Sequence, residues 1–245
     1  MADAIETPSP RAPTTRRLSA EAPALGALTA AWWAAVLIVD FRGDFPLNDD
    51  WGYAPAVRAL VEDGALRFTD WQSMPLITHV LCGWLCAAPA GFSHDALRLS
   101  TLVMGWLGVL AMYGLLRQLK APRFAAGVGA ALLLVNPLYF GLAFSFMTDV
   151  PFTAVIVAAA AAWLRAESEG SRGWLAVATL LTLWATLNRQ LGIALPMAWT
   201  VVSLLRNGPR SPRWITGALV PAAIVIGGLV VYQKVLDATL GLPSL

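Results

Sequence analysis

Long apolar runs separated by short charged segments dominate the chain. A helix that crosses a bilayer needs about 20 predominantly apolar residues, and runs of this kind are typical of such helices. Seven spans are predicted on this basis, at about 22–40, 97–116, 122–142, 150–164, 173–187, 191–205 and 214–233. The pattern therefore predicts an all-α integral membrane protein.

The basic residues between the predicted spans alternate in position. Every second connection is basic, whereas the connections between them contain only Asp149 in one case and Arg189 in the other. The basic connections contain Arg117, Lys120 and Arg123, then Arg165 and Arg172, and then Arg206, Arg210 and Arg213. Because Lys and Arg are retained on the cytoplasmic side of membranes, these connections and the N-terminus are predicted to be cytoplasmic.

The segment 41–96 is predicted to form one long first outer loop. Its stretch 75–90 is apolar, but counting that stretch as a span would move every later basic connection to the outer side. The stretch extends only about 20 Å as a helix, against a hydrocarbon core of about 30 Å, so we expect it to lie in the outer interface. A second juxtamembrane helix, amphipathic, is predicted at 54–63, with Pro55 in its first turn.

Composition agrees with a membrane protein and excludes several other classes. The chain is 58% hydrophobic and 13% charged, too few charges to cover a water-soluble core. We predict a disordered cytoplasmic tail at 1–20 and one polytopic membrane domain at 21–245. Nucleic acid is excluded as a partner because the basic residues follow the spans. Cys82 and Cys86 are interpreted as packing residues.

Two adjacent carboxylates, Asp49 and Asp50, follow the first predicted span in the sequence Asn48-Asp49-Asp50-Trp51. Neighbouring acids raise each other's pKa, so keeping both of them ionised costs free energy near the low dielectric of a membrane. One interpretation is that they cap the helix at 54–63. The other is that one of them acts as a base that reaches both a polar acceptor and a lipid-linked substrate.

Two further charged residues are predicted at the same side of the membrane. Asp149 follows Thr148 and precedes Pro151, so it either caps a helix or has a function. Arg189, before Gln190, either reaches lipid headgroups or binds a phosphate. Three outer segments thus contribute charged groups to one face. His79, in the stretch 75–90, is interpreted as a packed histidine.

The order of these motifs resembles the membrane glycosyltransferases of the GT-C superfamily. It is most similar to the branch of protein O-mannosyltransferases and lipid A aminoarabinose transferases (glycosyltransferase family 39-like), in the N-terminal half of such proteins. The resemblance covers about 22–206. The motifs that carry it are Asp49-Asp50 with Tyr53, Met74-Pro75-Leu76, Thr148-Asp149-Val150-Pro151 and Arg189-Gln190.

The resemblance implies transfer of a hexosyl or pentosyl group from a polyprenyl-phosphate donor to a lipid, glycan or protein acceptor on the outer face, with inversion. It implies that Asp49 is the base and that Asp50 and Asp149 are further catalytic residues. It also implies that Arg189, Gln190, Tyr53 and Thr148 bind substrate, and that neither a cofactor nor a metal is needed. The chain departs from the family at Ser73 and Met74, where relatives often have a phosphate-binding Lys.

The resemblance further implies a bacterial inner-membrane protein with membrane lipids around it. Two other functions are considered. A non-catalytic assembly or scaffold protein would need none of the charged residues to react. A transporter or flippase would place acids near the bilayer midplane, whereas the interiors of the predicted spans contain none.

Overall fold

The computed structural model describes residues 14–69, 75–207, 212 and 215–240. These residues form helices joined by short connections, and no strand occurs among them. The α-helices are α1 (Thr14–Val39), α2 (Asp50–Glu62), α3 (Ile77–Ala87), α4 (His94–Gln118), α5 (Arg123–Leu134), α6 (Pro137–Ala143), α7 (Asp149–Glu169), α8 (Arg172–Asn188), α9 (Ala194–Asn207) and α10 (Val220–Leu240). A 3₁₀ turn, Gln190–Ile193, precedes α9, and a π turn, Ile215–Leu219, precedes α10.

The predicted all-α class is confirmed, with four or five candidate membrane spans. In the part of the chain that the structure describes, four segments are long and apolar enough to cross a membrane, namely Ser19–Val39, His94–Gln118, Asp149–Glu169 and Ile215–Thr239. Helices α5 and α6, which are separated by a 59° bend, form a fifth candidate if the two together count as one span. The spans predicted at 173–187 and 191–205 correspond to shorter helices, so the count of seven stays a prediction.

Helices α1 and α4 are antiparallel neighbours. At one end, Arg117 of α4 forms an ion pair of 2.9 Å with Glu21 of α1. At the other end, Arg98 of α4 donates a hydrogen bond of 3.1 Å to the carbonyl oxygen of Phe41, just after α1. The segment 40–93 therefore leaves and re-enters the bundle at the same end, as the predicted outer loop requires.

Small residues of α4 let α1 and α6 pack closely against it. A Cβ added to Gly105 would lie 2.7 Å from the indole of Trp32, and one added to Gly108 would lie 2.1 Å from the hydroxyl of Tyr139. Tyr139 also donates a hydrogen bond of 3.0 Å to the carbonyl oxygen of Gly105. Such close approach is how helices associate in lipid, where no hydrophobic force drives them together.

Helices α7, α8 and α9 continue the alternation of direction. Trp163 of α7 donates a 3.0 Å hydrogen bond to the hydroxyl of Thr182 on α8. Arg206 near the end of α9 lies 3.7 Å from Glu167 near the end of α7. The ends of the helices therefore form two opposite ends of the bundle. The basic end contains Arg117, Arg123, Arg165 and Arg206, and the acidic end contains Asp49, Asp50, Asp149 and Arg189.

Helix boundaries differ from the prediction at two places. Helix α2 begins at Asp50, four residues earlier than predicted, so Pro55 lies in its second turn rather than its first. Helix α1 begins at Thr14 and includes the last part of the predicted tail 1–20, while residues 1–13 lie outside the described residues. Whether α2 and α3 lie in a membrane interface stays a prediction.

Candidate functional site

Arg98 fixes the segment that leads from α1 to the two predicted acids. Its side chain is 2% exposed and donates hydrogen bonds to the carbonyl oxygens of Phe41, Gly43 and Phe45. Asp95 accepts a 2.7 Å hydrogen bond from the backbone N–H of Gly43. A buried guanidinium with several acceptors holds a loop firmly, because leaving its donors unpaired would be costly.

Asp50 is buried and joins α2 to the segment before α7. Its Oδ2 accepts a hydrogen bond of 3.1 Å from the backbone N–H of Leu47, and its Oδ1 accepts one of 2.6 Å from that of Phe146. Burial raises the pKa of the carboxyl group, and the two backbone hydrogen bonds act in the opposite direction. Because the second bond spans 96 residues, Asp50 brings the start of α2 to the start of α7.

Asp49 differs from its neighbour in exposure and in bonding. It occupies the N-cap position of α2 and is exposed, yet its side chain caps none of the helix N–H groups. Thr148, at the N-cap position of α7, also makes no capping hydrogen bond with its side chain. The side chains of Asp49 and Thr148 therefore do not cap these helices, whereas Asp50 and Asp149 lie in the first turns, where an acid favours the positive helix end. The side chain of Asp49 is exposed at the acidic end.

Asp149 and Arg189 form an ion pair. Nη1 of Arg189 donates to Oδ1 of Asp149, and the two side chains are 25% and 39% exposed, respectively. The pair joins the first residue of α7 to the residue that follows α8. Gln190 opens the 3₁₀ turn directly after Arg189. Because both partners remain partly exposed, a ligand can reach the guanidinium.

Tyr53 lies among the charged groups. Its ring is 9% exposed and packs edge-on against His79, with 6.1 Å between the centroids. Burial raises the pKa of its phenol, the carboxylates of Asp49 and Asp149 raise it further, and Arg189 lowers it. The hydrogen bond from Phe146 to Asp50 and the ion pair of Asp149 with Arg189 join the start of α2, the start of α7 and the end of α8, the elements to which these groups belong.

Three buried polar side chains near these groups have unpartnered atoms: Thr148 is a predicted substrate-binding residue, His79 is interpreted from the sequence as packed, and the sequence does not single out Asn188. Nδ1 of His79, Oγ1 of Thr148 and both amide atoms of Asn188 lack a hydrogen-bond partner in the structure. Unpartnered buried polar atoms cost about 1–3 kcal/mol each and point to water or a polar ligand. The only signal for Asn188 in the sequence is its position beside Arg189 in an otherwise apolar run.

His79 is a packed histidine, as interpreted. It is fully buried, and its ring stacks on Phe146 with 3.8 Å between the centroids. Its Nε2 lies 3.2 Å from the carbonyl oxygen of Phe146. Burial lowers the pKa of His79 from 6.5 to about 4, so the ring is neutral at pH 7.

The proline motif and the two cysteines lie outside the group of charged residues. Pro75 accepts a 2.5 Å hydrogen bond from the hydroxyl of Tyr232, whereas Ser73 and Met74 lie outside the described residues. Cys82 and Cys86 are both free thiols. Among the described residues, no group of three or more His, Cys, Asp or Glu side chains is arranged to hold a metal ion.

Comparison with known proteins identifies the family. The family model described as dolichyl-phosphate-mannose-protein mannosyltransferase matches residues 75–235. This match covers more than half of the chain, and it includes Asp149 and Arg189 but begins after Asp49. None of the curated proteins compared with the chain matches it. The apolar helices and the family match together establish that the chain belongs to the dolichyl-phosphate-mannose-protein mannosyltransferase family and is an integral-membrane glycosyltransferase of the GT-C type.

Proposed function

We propose that the protein transfers a hexosyl or pentosyl group from a polyprenyl-phosphate donor to a hydroxyl group of an acceptor, at the acidic end of the bundle. The observation that supports this most directly is the return of segment 40–93 to one end. Together with the hydrogen bond from Phe146 to Asp50, that return puts the start of α2, which carries Asp49, at the start of α7, where Asp149 pairs with Arg189. A reaction centre built from distant segments needs such convergence.

In this proposal Asp49 is the general base. The acceptor oxygen attacks the anomeric carbon while the bond from that carbon to the phosphate oxygen breaks. The proton of the acceptor hydroxyl moves to the carboxylate of Asp49, and polyprenyl phosphate leaves with the bonding electrons. A single displacement of this kind inverts the anomeric configuration. Asp49 suits the role because it is exposed and does not cap α2.

Asp50 and Asp149 contribute to the same step by orienting groups. Both oxygens of Asp50 accept backbone N–H groups, so we assign it to holding Asp49 in position rather than to proton transfer. Asp149 orients Arg189 through their ion pair. Thr148, Tyr53 and Gln190 lie at the same end and are proposed to contact the sugar or the acceptor.

Arg189 is proposed to stabilise the leaving phosphate. A guanidinium donates to phosphate oxygens in a planar, bidentate geometry, and its positive charge offsets the charge that develops as the bond to the sugar breaks. Such a leaving group is already stable as an anion, so the proposed mechanism requires no metal. Treatment with EDTA is therefore expected to leave the transfer rate unchanged.

A transfer assay with a matched pair of variants tests the role of Asp49. Purified protein would be given polyprenyl-phosphate hexoses and pentoses with a panel of acceptors. Asp49→Asn is expected to lower the transfer rate about 10²–10⁴-fold, the usual range for loss of a general base. Asp40→Asn removes an exposed carboxylate at the same end, one that pairs with Arg42, and should keep the wild-type rate. Equal rates for wild type and Asp49→Asn would contradict the assignment.

The acidic end is proposed to face the periplasm of a bacterial inner membrane, with the N-terminus in the cytoplasm. The support is the concentration of Arg117, Arg123, Arg165 and Arg206 at the opposite end, since basic residues remain cytoplasmic.

Cysteine labelling tests this orientation. With Cys82 and Cys86 replaced by Ala, the exposed Ala90 near the acidic end and the exposed Leu119 near the basic end would each be changed to Cys. An impermeant maleimide added to intact cells is expected to label Ala90→Cys alone. Labelling of Leu119→Cys alone would reverse the proposed orientation.

A further inference from the structure

A groove lies along a face of α2 that the proposed mechanism does not use. Its volume is about 340 Å³, within the range of about 300–1,000 Å³ typical of small-molecule sites. The groove lies between α2 and the segments before α2 and α4. Its lining includes Pro46, Trp51, Arg58, Glu62, Phe92 and His94.

Two aromatic side chains form part of the wall of this groove. The indole of Trp51 is 52% exposed, and the ring of Phe92 is partly buried beneath the guanidinium of Arg58, which lies 4.4 Å from the ring centroid. The exposed indole of Trp51 offers a face that can stack on the C–H face of a sugar ring, and Phe92 adds apolar wall beside it. The cation over Phe92 also holds that ring in place.

Polar groups complete the wall, and one of them is unsatisfied. Arg58 and Glu62 lie 4.0 Å apart and offer both donors and acceptors. His94 is 8% exposed, and its Nδ1 has no hydrogen-bond partner in the structure. Arg58, Glu62 and His94 together give the wall donors and acceptors of the kind that bind hydroxyl groups.

The charges of the groove argue against the phosphate of the donor as its occupant. Arg58 is paired with Glu62, and Asp63, which also lines the groove, is paired with Arg67 at 3.2 Å. The local charge is therefore balanced, and an anion would gain little there. The half-exposed Arg189 is better suited to a phosphate. A neutral sugar fits the groove better than the carrier phosphate, because the paired charges of the lining leave no surplus positive charge for an anion.

We propose that this groove binds a carbohydrate portion of the acceptor. The inference rests on the proposed glycosyl transfer, since it assigns the acceptor of that reaction to the class of glycans. Trp51 follows Asp49 by two residues, so a glycan held in the groove extends past the N-terminal end of α2 towards the proposed base. The groove thereby serves as an acceptor subsite that is separate from the charged groups around Tyr53.

Binding and transfer would be measured separately. Saturation-transfer NMR in detergent micelles would detect contact between the protein and methyl glycosides of mannose, glucose and galactose. Phe92→Ala and Glu62→Gln are expected to reduce the signal of the preferred glycoside at least fivefold and to raise its KM as acceptor at least tenfold. Phe124→Ala removes a ring that is 84% exposed near the basic end and should change neither quantity. Thermal unfolding of each variant checks that it is folded.

The outcomes distinguish the two proposals. Binding that depends on Phe92 and Glu62, without any sugar transfer by wild type, would retain the groove as a glycan site and overturn the proposed function. Transfer with equal acceptor KM and equal NMR signal in wild type and groove variants would overturn the groove alone. An increase of the donor KM in place of the acceptor KM, or no glycoside binding by wild type, would also overturn it.

Discussion

The two ends of the helical bundle satisfy their polar groups to different extents. At the basic end, Glu21 accepts hydrogen bonds from Tyr113, Arg117 and Arg123, which belong to α4 and α5. At the acidic end, buried polar atoms of Thr148 and Asn188 have no partner in the structure. A network with all its members paired adds stability, whereas unpaired polar groups cost stability and are retained where a ligand uses them.

Strained backbone conformations are also more frequent at the acidic end than at the basic end. Four residues other than glycine have positive φ in the described part of the chain, and three of them, Asp40, Asn48 and Leu76, lie in the segments of the acidic end. Asp and Asn tolerate this conformation, but Leu76, with φ of 56°, does not do so readily. Strain of about 1–3 kcal/mol per residue tends to be retained at functional sites. The basic end therefore joins helices through paired charges, whereas the acidic end retains strained residues and unpaired polar groups.

Among the changes that test this difference between the ends, the largest effect is expected from removing the guanidinium of the acidic end. Arg189→Met should lower the rate of sugar transfer about 10²–10³-fold, the usual range for loss of one donor that stabilises developing negative charge. Thermal unfolding should change little, because the ion pair with Asp149 is partly exposed. A transfer assay and a melting curve of the same preparation measure both quantities.

Arg189→Lys sharpens this experiment. Lys retains the charge but not the planar pair of donors, so we expect it to restore only part of the lost rate. Full activity in Arg189→Met would remove the arginine from the mechanism. An equal loss of stability and activity in that variant would make the acidic end a structural element like the basic end.

The next largest effect concerns pH and His79. Its pKa in the folded protein is about 4, below the unfolded value of 6.5, so between these values the unfolded state binds more protons. Stability is therefore complete above about pH 6.5 and falls as pH decreases towards 4, by up to about 3 kcal/mol. Melting temperatures of wild type and His79→Gln at intervals from pH 4 to 7 measure the change.

The glutamine variant isolates the contribution of the imidazole. Its side-chain amide can still donate towards the carbonyl oxygen of Phe146, but it does not titrate in this range. The difference between wild type and variant should therefore shrink as pH decreases. Parallel pH profiles of the two proteins would show that His79 is not buried in its neutral form.

The order of the helices and the grouping of charged residues were predictable from the sequence for physical reasons. The alternating basic connections predict which connections lie on the cytoplasmic side of the membrane. The connections that contain Asp49, Asp149 and Arg189 are then predicted to share the opposite side. The contacts of α1 with α4 agree with this, because Arg98 and Glu21 join opposite ends of the two helices. Local sequence was sufficient there, since each span is defined by its own composition.

The different environments of Asp49 and Asp50 were not predictable from the sequence. Adjacent acids look alike in a pattern, and only the long-range hydrogen bond from Phe146 makes Asp50 the buried one. The start of α2 was placed too late because Pro55 is typical of a first turn, whereas here it lies in the second. The unpartnered amide of Asn188 depends likewise on the packing of distant segments.

A smaller effect is expected from breaking the network at the basic end. Glu21→Gln removes the charge that Arg117 and Arg123 share, and should reduce the free energy of unfolding by about 1–3 kcal/mol. The rate of sugar transfer by the folded protein should stay at the wild-type value, because no proposed site residue lies at this end. Chemical unfolding in mixed micelles and a transfer assay on the same preparation would test both statements. A loss of activity without a loss of stability would contradict the division between the two ends.

The smallest effect is expected from an exposed ion pair at the same end. Arg165 and Glu169 lie one turn apart on α7, at 3.0 Å, with both side chains more than a third exposed. Exposed pairs at this spacing contribute about 0.3–0.5 kcal/mol, so Glu169→Gln should shift the melting temperature far less than Glu21→Gln does. The two variants remove the same chemical group at the same end of the bundle and differ in how many helices that group joins. Equal shifts would mean that net charge, rather than the shared network of Glu21, stabilises the basic end.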